Sequence, residues 1–445
     1  MICIIIILTL LRQYRIDPMS ELKKVLIVTY YWPPAGGPAI QRTLKFVKYM
    51  RFFGWEPVIL TVENGEYPAI DPSLIQEIPD NIQVYKTKAF QPFQLYRMLT
   101  GKKGNTHNNA NVFGQKDTTF VERLAKWIRL NLFIPDARIG WYAYAVKAAK
   151  KIIEQEHIDL IYSSSPPHSL QLIAQKIAKQ NKIKWVADFR DPWSELVHYQ
   201  SYKRTWLTRK IDSHFEKSVF RSADRLVAAA NDYATCIKTH VDRKIEVIYN
   251  GYDPSDFPKP KSRNTEDFLI TYTGELSEDR IPHALLRALS RLEHSNIKLQ
   301  FIGNTCPELK QEIQQLNLGN KVILKPYMPH IASIAELQQS DLLLLVINQV
   351  ANGKGIVPGK IFEYLGTRKP ILCLGDPTGE AGEIIKTTNS GFCTAHHNEE
   401  EIFTLLSRLS SGVLPGLSFQ TEQFERKNET GQLCDIFNTL VNKPS

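Results

Sequence analysis

The run NGKGIVPGKIFEYLGTRKPILCLG, residues 352–375, gathers the most chemistry in one place. Gly353, Gly355 and Gly359 lead into a helix-forming stretch that carries Lys360 and, one turn in, Glu363, and a strand-forming run follows. Peptide N–H groups at such a helix start can hold a phosphate, and a carboxylate one turn later can accept both hydroxyls of a ribose. A glutamate near a helix start is also favourable on dipole grounds alone. The glycines gathered around it weigh toward a ligand, so the spacing predicts a nucleotide site on Gly359, Lys360 and Glu363.

Other polar residues sit just beyond the ends of apolar runs. In TYTGELSEDRIPHALLRAL a strand ends at Gly274, and Arg280 lies at the mouth of the turn beside a helix beginning near Pro282. A cation and a helix dipole together stabilise a diphosphate there, although a lone arginine could equally be a solvated charge. Tyr327, in LKPYMPH, is placed to stack beside a base. In TYYWPPAGGPAIQR, Gly36 and Gly37 let the backbone approach a phosphate or an acceptor hydroxyl. The spacing is not GxGxxG, so no dinucleotide fingerprint is present, and a tight strand-to-helix turn would explain the pair as well. SSSPPHSLQ puts His168 just inside a helix, where it can donate to a sugar hydroxyl or phosphate, or else cap the helix or stay exposed. In DFRDPWSE, Arg190 and Asp191 either form a local ion pair that shapes the site or contact the acceptor.

These residues need sheets to carry them. KVLIVTY, PVILT, IDLIYS, KWVADF, RLVAAA and IEVIY read as buried parallel strands of a first domain, separated by amphipathic stretches such as FVERLAKWIRLNL and HSLQLIAQKIAKQ. DPSDFPKPKSRNTED is rich in Pro, Ser and charge and reads as a linker. FLITYT, IKLQFIG, KVILK, DLLLLVI, PILCLG and GFCTA then read as a second series of strands, and LCDIFNTLV as a C-terminal helix. The expected division is an extension over 1–21, an acceptor domain over 22–252, a linker over 253–267, a nucleotide-sugar domain over 268–420, and a helix and tail over 421–445. Residues 101–119, Asn- and Gly-rich, read as a loop.

With 445 residues the chain fits two cores. Its net charge of +9 is uneven: residues 1–250 hold 36 Lys and Arg against 23 Asp and Glu, and the remainder 19 against 23. The basic half suits phosphorylated substrates or an anionic membrane surface, and charge alone does not choose between these and nucleic acid. The apolar run before Arg12 is far shorter than the ~20 residues that span a bilayer, and neither a basic segment before it nor a cleavage site after it marks a secretory signal. The six cysteines lack metal-ligand spacing and suit a reducing cytoplasm.

Taken together, TYYWPPAGGPAIQR, VIYNGYD, YTGEL and VPGKIFEYLGTRKPIL resemble the family 4 glycosyltransferases of bacterial surface-polysaccharide synthesis, over about residues 22–440. The resemblance implies the α/β GT-B fold, two facing Rossmann-like domains with a C-terminal helix that can cross back to the first. It implies a nucleotide-diphosphate sugar as donor, a saccharide or lipid-linked acceptor, retention of anomeric configuration, and no metal or other cofactor. With the basic first half and the scattered cysteines, the expectation is a cytoplasmic enzyme, peripheral on the inner face of the membrane, with no nucleic-acid partner. By the same resemblance, Gly36 and Gly37 lie beside donor and acceptor, His168 contacts the transferred sugar, Glu363 holds the ribose and Arg280 takes the place of a diphosphate-binding lysine. Two positions depart from the pattern: Gly355 stands where the family has the first of two paired glutamates, and Glu275 where it has an arginine. A nucleotide-sugar epimerase of the same layout and a non-catalytic nucleotide-binding protein remain as rival readings.

Overall fold

The computed structural model describes residues 22–63, 65–67, 69–91, 120–193, 204–259, 263, 266–292, 296–350, 353–410 and 416–441. The expected extension over 1–21 and loop over 101–119 lie outside these residues. The chain divides into two compact units, one of residues 1–229, 233–248 and 430–445, the other of residues 230–232 and 249–429. The division thus falls at Tyr249, a few residues before the linker read from composition.

In the first unit, β1 (Lys23–Val28), β2 (Trp55–Val62), β3 (Gln83–Thr87), β4 (Leu160–Ser165), β5 (Lys184–Phe189), β6 (Arg225–Ala228) and β7 (Ile245–Val247) form one sheet. Every pairing is parallel and the order is β3-β2-β1-β4-β5-β6-β7. Its helices are α1 (Pro38–Met50), α2 (Phe120–Leu132), α3 (Tyr142–Glu156), α4 (Ser169–Asn181), α5 (Trp206–Ser222) and α6 (Asn231–Lys238), whose first two residues group with the second unit. Central β1 is apolar on both faces because both are covered: Leu26 and Val28 join one core cluster, Val25 and Ile27 the other. Helix α1 buries Ile40, Leu44 and Val47, a spacing of four and three that puts one stripe on the sheet. Strand β3 was missed from the sequence. It lies at the sheet edge with no fully buried side chain, so QVYKT lacks the apolar run by which the others announce themselves.

In the second unit, β8 (Phe268–Thr273), β9 (Ile297–Ile302), β10 (Val322–Lys325), β11 (Leu342–Val346), β12 (Ile371–Leu374) and β13 (Gly391–Thr394) form a parallel sheet in the order β10-β9-β8-β11-β12-β13. Helices α7 (His283–Arg291), α8 (Pro307–Gln315), α9 (His330–Gln338), α10 (Lys360–Thr367), α11 (Glu380–Thr387) and α12 (Glu399–Ser410) connect and cover them. Strand β11, wholly buried, supplies Leu342 and Leu344 to one core face and Leu343 and Leu345 to the other. The last helix, α13 (Arg426–Val441), begins in this unit. Its later residues belong to the first, where Leu433, Cys434 and Phe437 are fully buried and the Trp55 indole donates to Asn438 at 3.2 Å.

Candidate functional site

Each sheet reverses its strand order once, between β1 and β4 in the first unit and between β8 and β11 in the second. Loops leaving the carboxyl ends of the two strands at such a point diverge and leave room for a ligand. Several of the candidate residues fall at these two points, while Tyr327 follows β10 and Arg190 and Asp191 follow β5. Gly36, Gly37 and His168 follow β1 and β4, and Gly274, Arg280 and Lys360 follow β8 and β11.

At the switch point of the second unit, β8 ends at Thr273 and is followed by Gly274, whose φ of +110° only glycine adopts without strain. A side chain there would also meet Lys360, whose ammonium would stand 3.0 Å from the added carbon. Lys360 is the first residue of α10 and reaches back across the switch point. Its Nζ donates to the carbonyl of Thr273 at 2.7 Å and lies 4.0 Å from the centroid of the Tyr272 ring. Burial, and next the nearby Arg280 charge, push its pKa down to about 7, against the opposing pull of Glu363. Arg280 closes a short 3₁₀ turn, Glu278–Arg280, and is half-buried. One of its N–H groups reaches the Glu275 carbonyl at 3.3 Å, while its Nε has no partner among the described residues. Neither cation forms an ion pair among those residues. Two basic groups near the start of a helix can hold an anion.

Glu363 lies one turn into α10, about a third exposed, with Oε1 2.9 Å from His330 Nε2. Tyr327 is 76% exposed beyond β10. Gly359 precedes α10 with helical backbone angles and nothing close to where a side chain would go, so its conformation alone does not call for glycine. Gly355 is different. A side-chain carbon there would fall 2.1 Å from the Asp232 carboxyl carbon, so Asp232 fills the space that a residue with a side chain at 355 would need.

In the first unit, Gly37 (φ +94°) directly precedes Pro38 at the start of α1, and Gly36 N–H donates to Ala69 at 2.9 Å. The helix-capping and exposed readings of His168 are both corrected by the structure. The residue occupies the position before α4, but Asp136 accepts from Ser169 N–H and Oγ, each at 2.9 Å, so the carboxylate satisfies that helix end. The imidazole is 1% exposed and stacks on Trp193, centroids 4.8 Å apart and rings 13° from parallel. Neither ring nitrogen has a partner among the described residues. Burial pushes its pKa down to about 3, outweighing the Asp191 carboxylate, so the ring is neutral. Arg190 and Asp191 form the ion pair that their adjacency suggested, at 2.8 Å.

Sequence reasoning missed the polar group that fixes this end of the sheet. Arg42, 1% exposed on α1, makes two 2.8 Å bonds to the fully buried Asp188 on β5. Tyr162 and Ser164 of β4 also donate to Asp188, at 2.8 and 2.6 Å. The group joins α1, and so the glycine loop before it, to β4 and β5. The signal was an aspartate inside the otherwise apolar run KWVADF, which a buried strand tolerates only with partners.

Residues 111–256 match Glycosyltransferase Family 4, and residues 254–412 match Glycosyl transferases group 1. No curated protein matches the chain in sequence. Among solved structures, Anabaena Alr3699/HepE in complex with UDP is 14% identical, aligned over 94% of this chain and all of that one, with a TM-score of 0.59. A glycosyltransferase from Rickettsia africae is 15% identical over 96% and 100% of the two chains, TM-score 0.57. The lipopolysaccharide outer core galactosyltransferase WaaB, in its apo form, is 14% identical over 94% and 100%, TM-score 0.56. At such identities the likeness is one of fold, GT-B.

Proposed function

The chain belongs to the glycosyltransferases, a family 4 domain followed by a group 1 domain, and we propose that it moves a sugar from a nucleotide-diphosphate sugar to a saccharide or lipid-linked acceptor in cell-surface polysaccharide synthesis. The observation that carries the donor assignment is the pair Arg280 and Lys360 at the switch point of the second sheet, two cations without an ion-pair partner among the described residues. HepE has been solved with UDP and with UDP-glucose, which supports a nucleotide-sugar as donor. In this proposal the diphosphate lies on Arg280, Lys360 and the start of α10, the ribose hydroxyls on Glu363, and the base beside Tyr327, with Gly274 and Gly359 giving the backbone room. Within the first unit, the proposal assigns Gly36, Gly37 and His168 to sugar contact and Arg190 and Asp191 to the acceptor side.

As the glycosidic bond breaks, negative charge grows on the leaving diphosphate. Arg280 and Lys360 are already in place to stabilise it without reorganisation, so the proposal calls for no resident metal. Anomeric configuration is retained, with the acceptor entering on the face the diphosphate leaves and the departing phosphate taking its proton. His168 is neutral, and once its ring is uncovered it can donate a hydrogen bond to the sugar.

No helix among the described residues is long and apolar enough to cross a membrane. The proposal places the enzyme at the inner face of the cytoplasmic membrane through the first unit. Leu124, Trp127 and Leu132 of α2 and Trp206 and Leu207 of α5 are exposed. The start of α5 is tied to the end of α2 by Thr205 N–H to Asn131 Oδ1 at 2.8 Å. Arg123 on α2 and Arg209 and Lys210 on α5 add the basic charge that anionic headgroups attract. Arg97, Lys102, Lys103 and Lys116, also basic in sequence, lie outside the described residues. The test of function is mass-spectrometric product analysis with a panel of nucleotide-sugars, with and without membrane lipid extract. Transfer that requires acceptor supports the proposal. Isomerisation of free donor without acceptor would favour an epimerase, and binding with no turnover on any pair would leave only a nucleotide-binding protein.

A further inference from the structure

Cysteines 20 positions apart in sequence are neighbours in the second unit. Cys373 on β12 and Cys393 on the edge strand β13 are direct partners in the parallel register. Residues paired in this way project to the same face, and both thiols pack into the cluster that contains Ile361, Phe362 and Leu365 of α10. Neighbouring strands lie about 4.8 Å apart, within the ~4.4–6.8 Å between α-carbons that a disulfide spans. Cys373 is fully buried, while Cys393 is half-buried and so the thiol that an oxidant meets first.

We propose that Cys373 and Cys393 are a reversible dithiol–disulfide couple, oxidised by hydroperoxide, that alters the nucleotide loop lying over the same sheet. The Cys393 thiolate attacks the peroxide oxygen, the O–O bond breaks, and a sulfenic acid forms with release of hydroxide, which takes up a proton to become water. The Cys373 sulfur then displaces the sulfenic hydroxyl, losing its own proton to it as a second water leaves. Two thiols and one hydrogen peroxide give one disulfide and two waters. The order of attack fits the local polarity. The contact with Cys373 lowers the Cys393 pKa, against burial and the Asp376 and Glu401 carboxylates, while the same contact and burial hold Cys373 protonated.

The link would be felt beyond the strands. Disulfides bring β-carbons to about 3.8 Å, closer than side chains rising in parallel from adjacent strands about 4.8 Å apart. The strand ends must therefore shift, and a strained disulfide is readily reduced again. Two residues after Cys373, Gly375 N–H bonds to the Thr394 carbonyl at 2.9 Å. The next residue, Asp376, holds the ammonium of Lys354 at 3.1 Å, between Gly353 and Gly355 of the loop that leads into α10. The effect on nucleotide binding rests on the donor site proposed above; the couple itself does not.

The full-length protein is treated with a small excess of hydrogen peroxide, quenched with an alkylating agent and mapped without reduction. A Cys373–Cys393 linked peptide that dithiothreitol removes is expected. In Cys373→Ser, a dimedone-reactive sulfenic acid should accumulate at Cys393; in Cys393→Ser, Cys373 should stay reduced. UDP titrations should show affinity at least threefold weaker in the oxidised enzyme, restored by dithiothreitol and unaffected by peroxide in Cys393→Ser. Over-oxidation of Cys393 in the wild type with no linked peptide overturns the couple. Equal UDP affinity in the two states overturns its effect on the loop. If the reduced enzyme fails to bind UDP or any other nucleoside diphosphate, the donor-site reading falls, and the linked peptide still decides the couple.

Discussion

Lys360 should make donor binding pH-dependent in a window where few lysines titrate. In the unliganded enzyme its pKa is down at about 7 because the ammonium is desolvated beside Arg280. A bound diphosphate replaces the lost solvation with phosphate oxygens and returns the group toward the ordinary ~10.4. Binding selects the protonated form, so apparent affinity scales with the fraction protonated in the free protein. That fraction falls from ~0.9 at pH 6 to ~0.03 at pH 8.5, a loss of about thirty-fold or ~2 kcal/mol, and the slope approaches the limit of ~1.4 kcal/mol for each pH unit only well above pH ~7. UDP's own second phosphate ionisation, near pH ~6, is essentially complete above pH ~7 and does not contribute there. Isothermal titration in buffers of different ionisation heat should show uptake of about half a proton at pH ~7 and nearly one at pH ~8. Lys360→Arg should bind UDP with little pH dependence. The sign for stability is opposite to that of an ordinary salt-bridged lysine. The folded pKa lies below the unfolded one, the unfolded chain binds more protons between about pH 7 and 10, and unliganded stability rises across that window. Lys360→Met should accordingly raise the unliganded melting temperature at pH ~6 while weakening UDP binding roughly ten- to a hundred-fold. Affinity flat from pH 6.5 to 9, with no proton uptake, would refute this reasoning.

Arg280→Ala should weaken nucleoside-diphosphate binding by roughly 1.5–3 kcal/mol, the worth of a hydrogen bond to a charged group; an unchanged dissociation constant would remove Arg280 from the site. Glu363→Gln keeps an oxygen for His330 but puts a donor where a ribose hydroxyl needs an acceptor, so melts should be nearly unchanged and donor affinity should fall about ten- to a hundred-fold. A lowered melting temperature with unchanged affinity would instead make Glu363 a helix-dipole residue. His168→Phe preserves the stack on Trp193, so stability should hold while kcat/KM drops about two- to ten-fold, the worth of one neutral hydrogen bond; full activity would make the ring a packing element. Sedimentation with phosphatidylglycerol vesicles should carry the enzyme down at low salt and release it at high salt, and no binding at low salt would leave the membrane location unsupported.

Twelve of the thirteen strands among the described residues were legible because each is an apolar run between amphipathic helices, most of them buried in parallel sheets and edge strand β10 apolar though partly exposed. The missing one, β3, is an edge strand whose mixed pattern follows from its half-covered faces. The local elements that carry the second-domain candidates were legible too, since a strand end, a glycine turn and a helix start are local features. Long-range features were not. Nothing near Lys360 in sequence says that its ammonium reaches Thr273, 87 residues earlier, or loses enough water to shift its pKa. The burial of His168 was not legible because the residue that covers it, Trp193, lies in a different motif. The filling of space at Gly355 by Asp232 and the pairing of Cys373 with Cys393 are likewise products of topology.

The central claim is that the nucleoside diphosphate sits on the second unit, at the ends of β8 and β11. Amide hydrogen exchange of the full-length protein, with and without the tightest binder among UDP, GDP, ADP and dTDP, addresses it most directly. The account predicts slowed exchange in the peptides covering residues 273–281 and 353–363, with that protection reduced at equal ligand concentration in Arg280→Ala. Saturating nucleotide that leaves both segments unchanged while protecting others would contradict it.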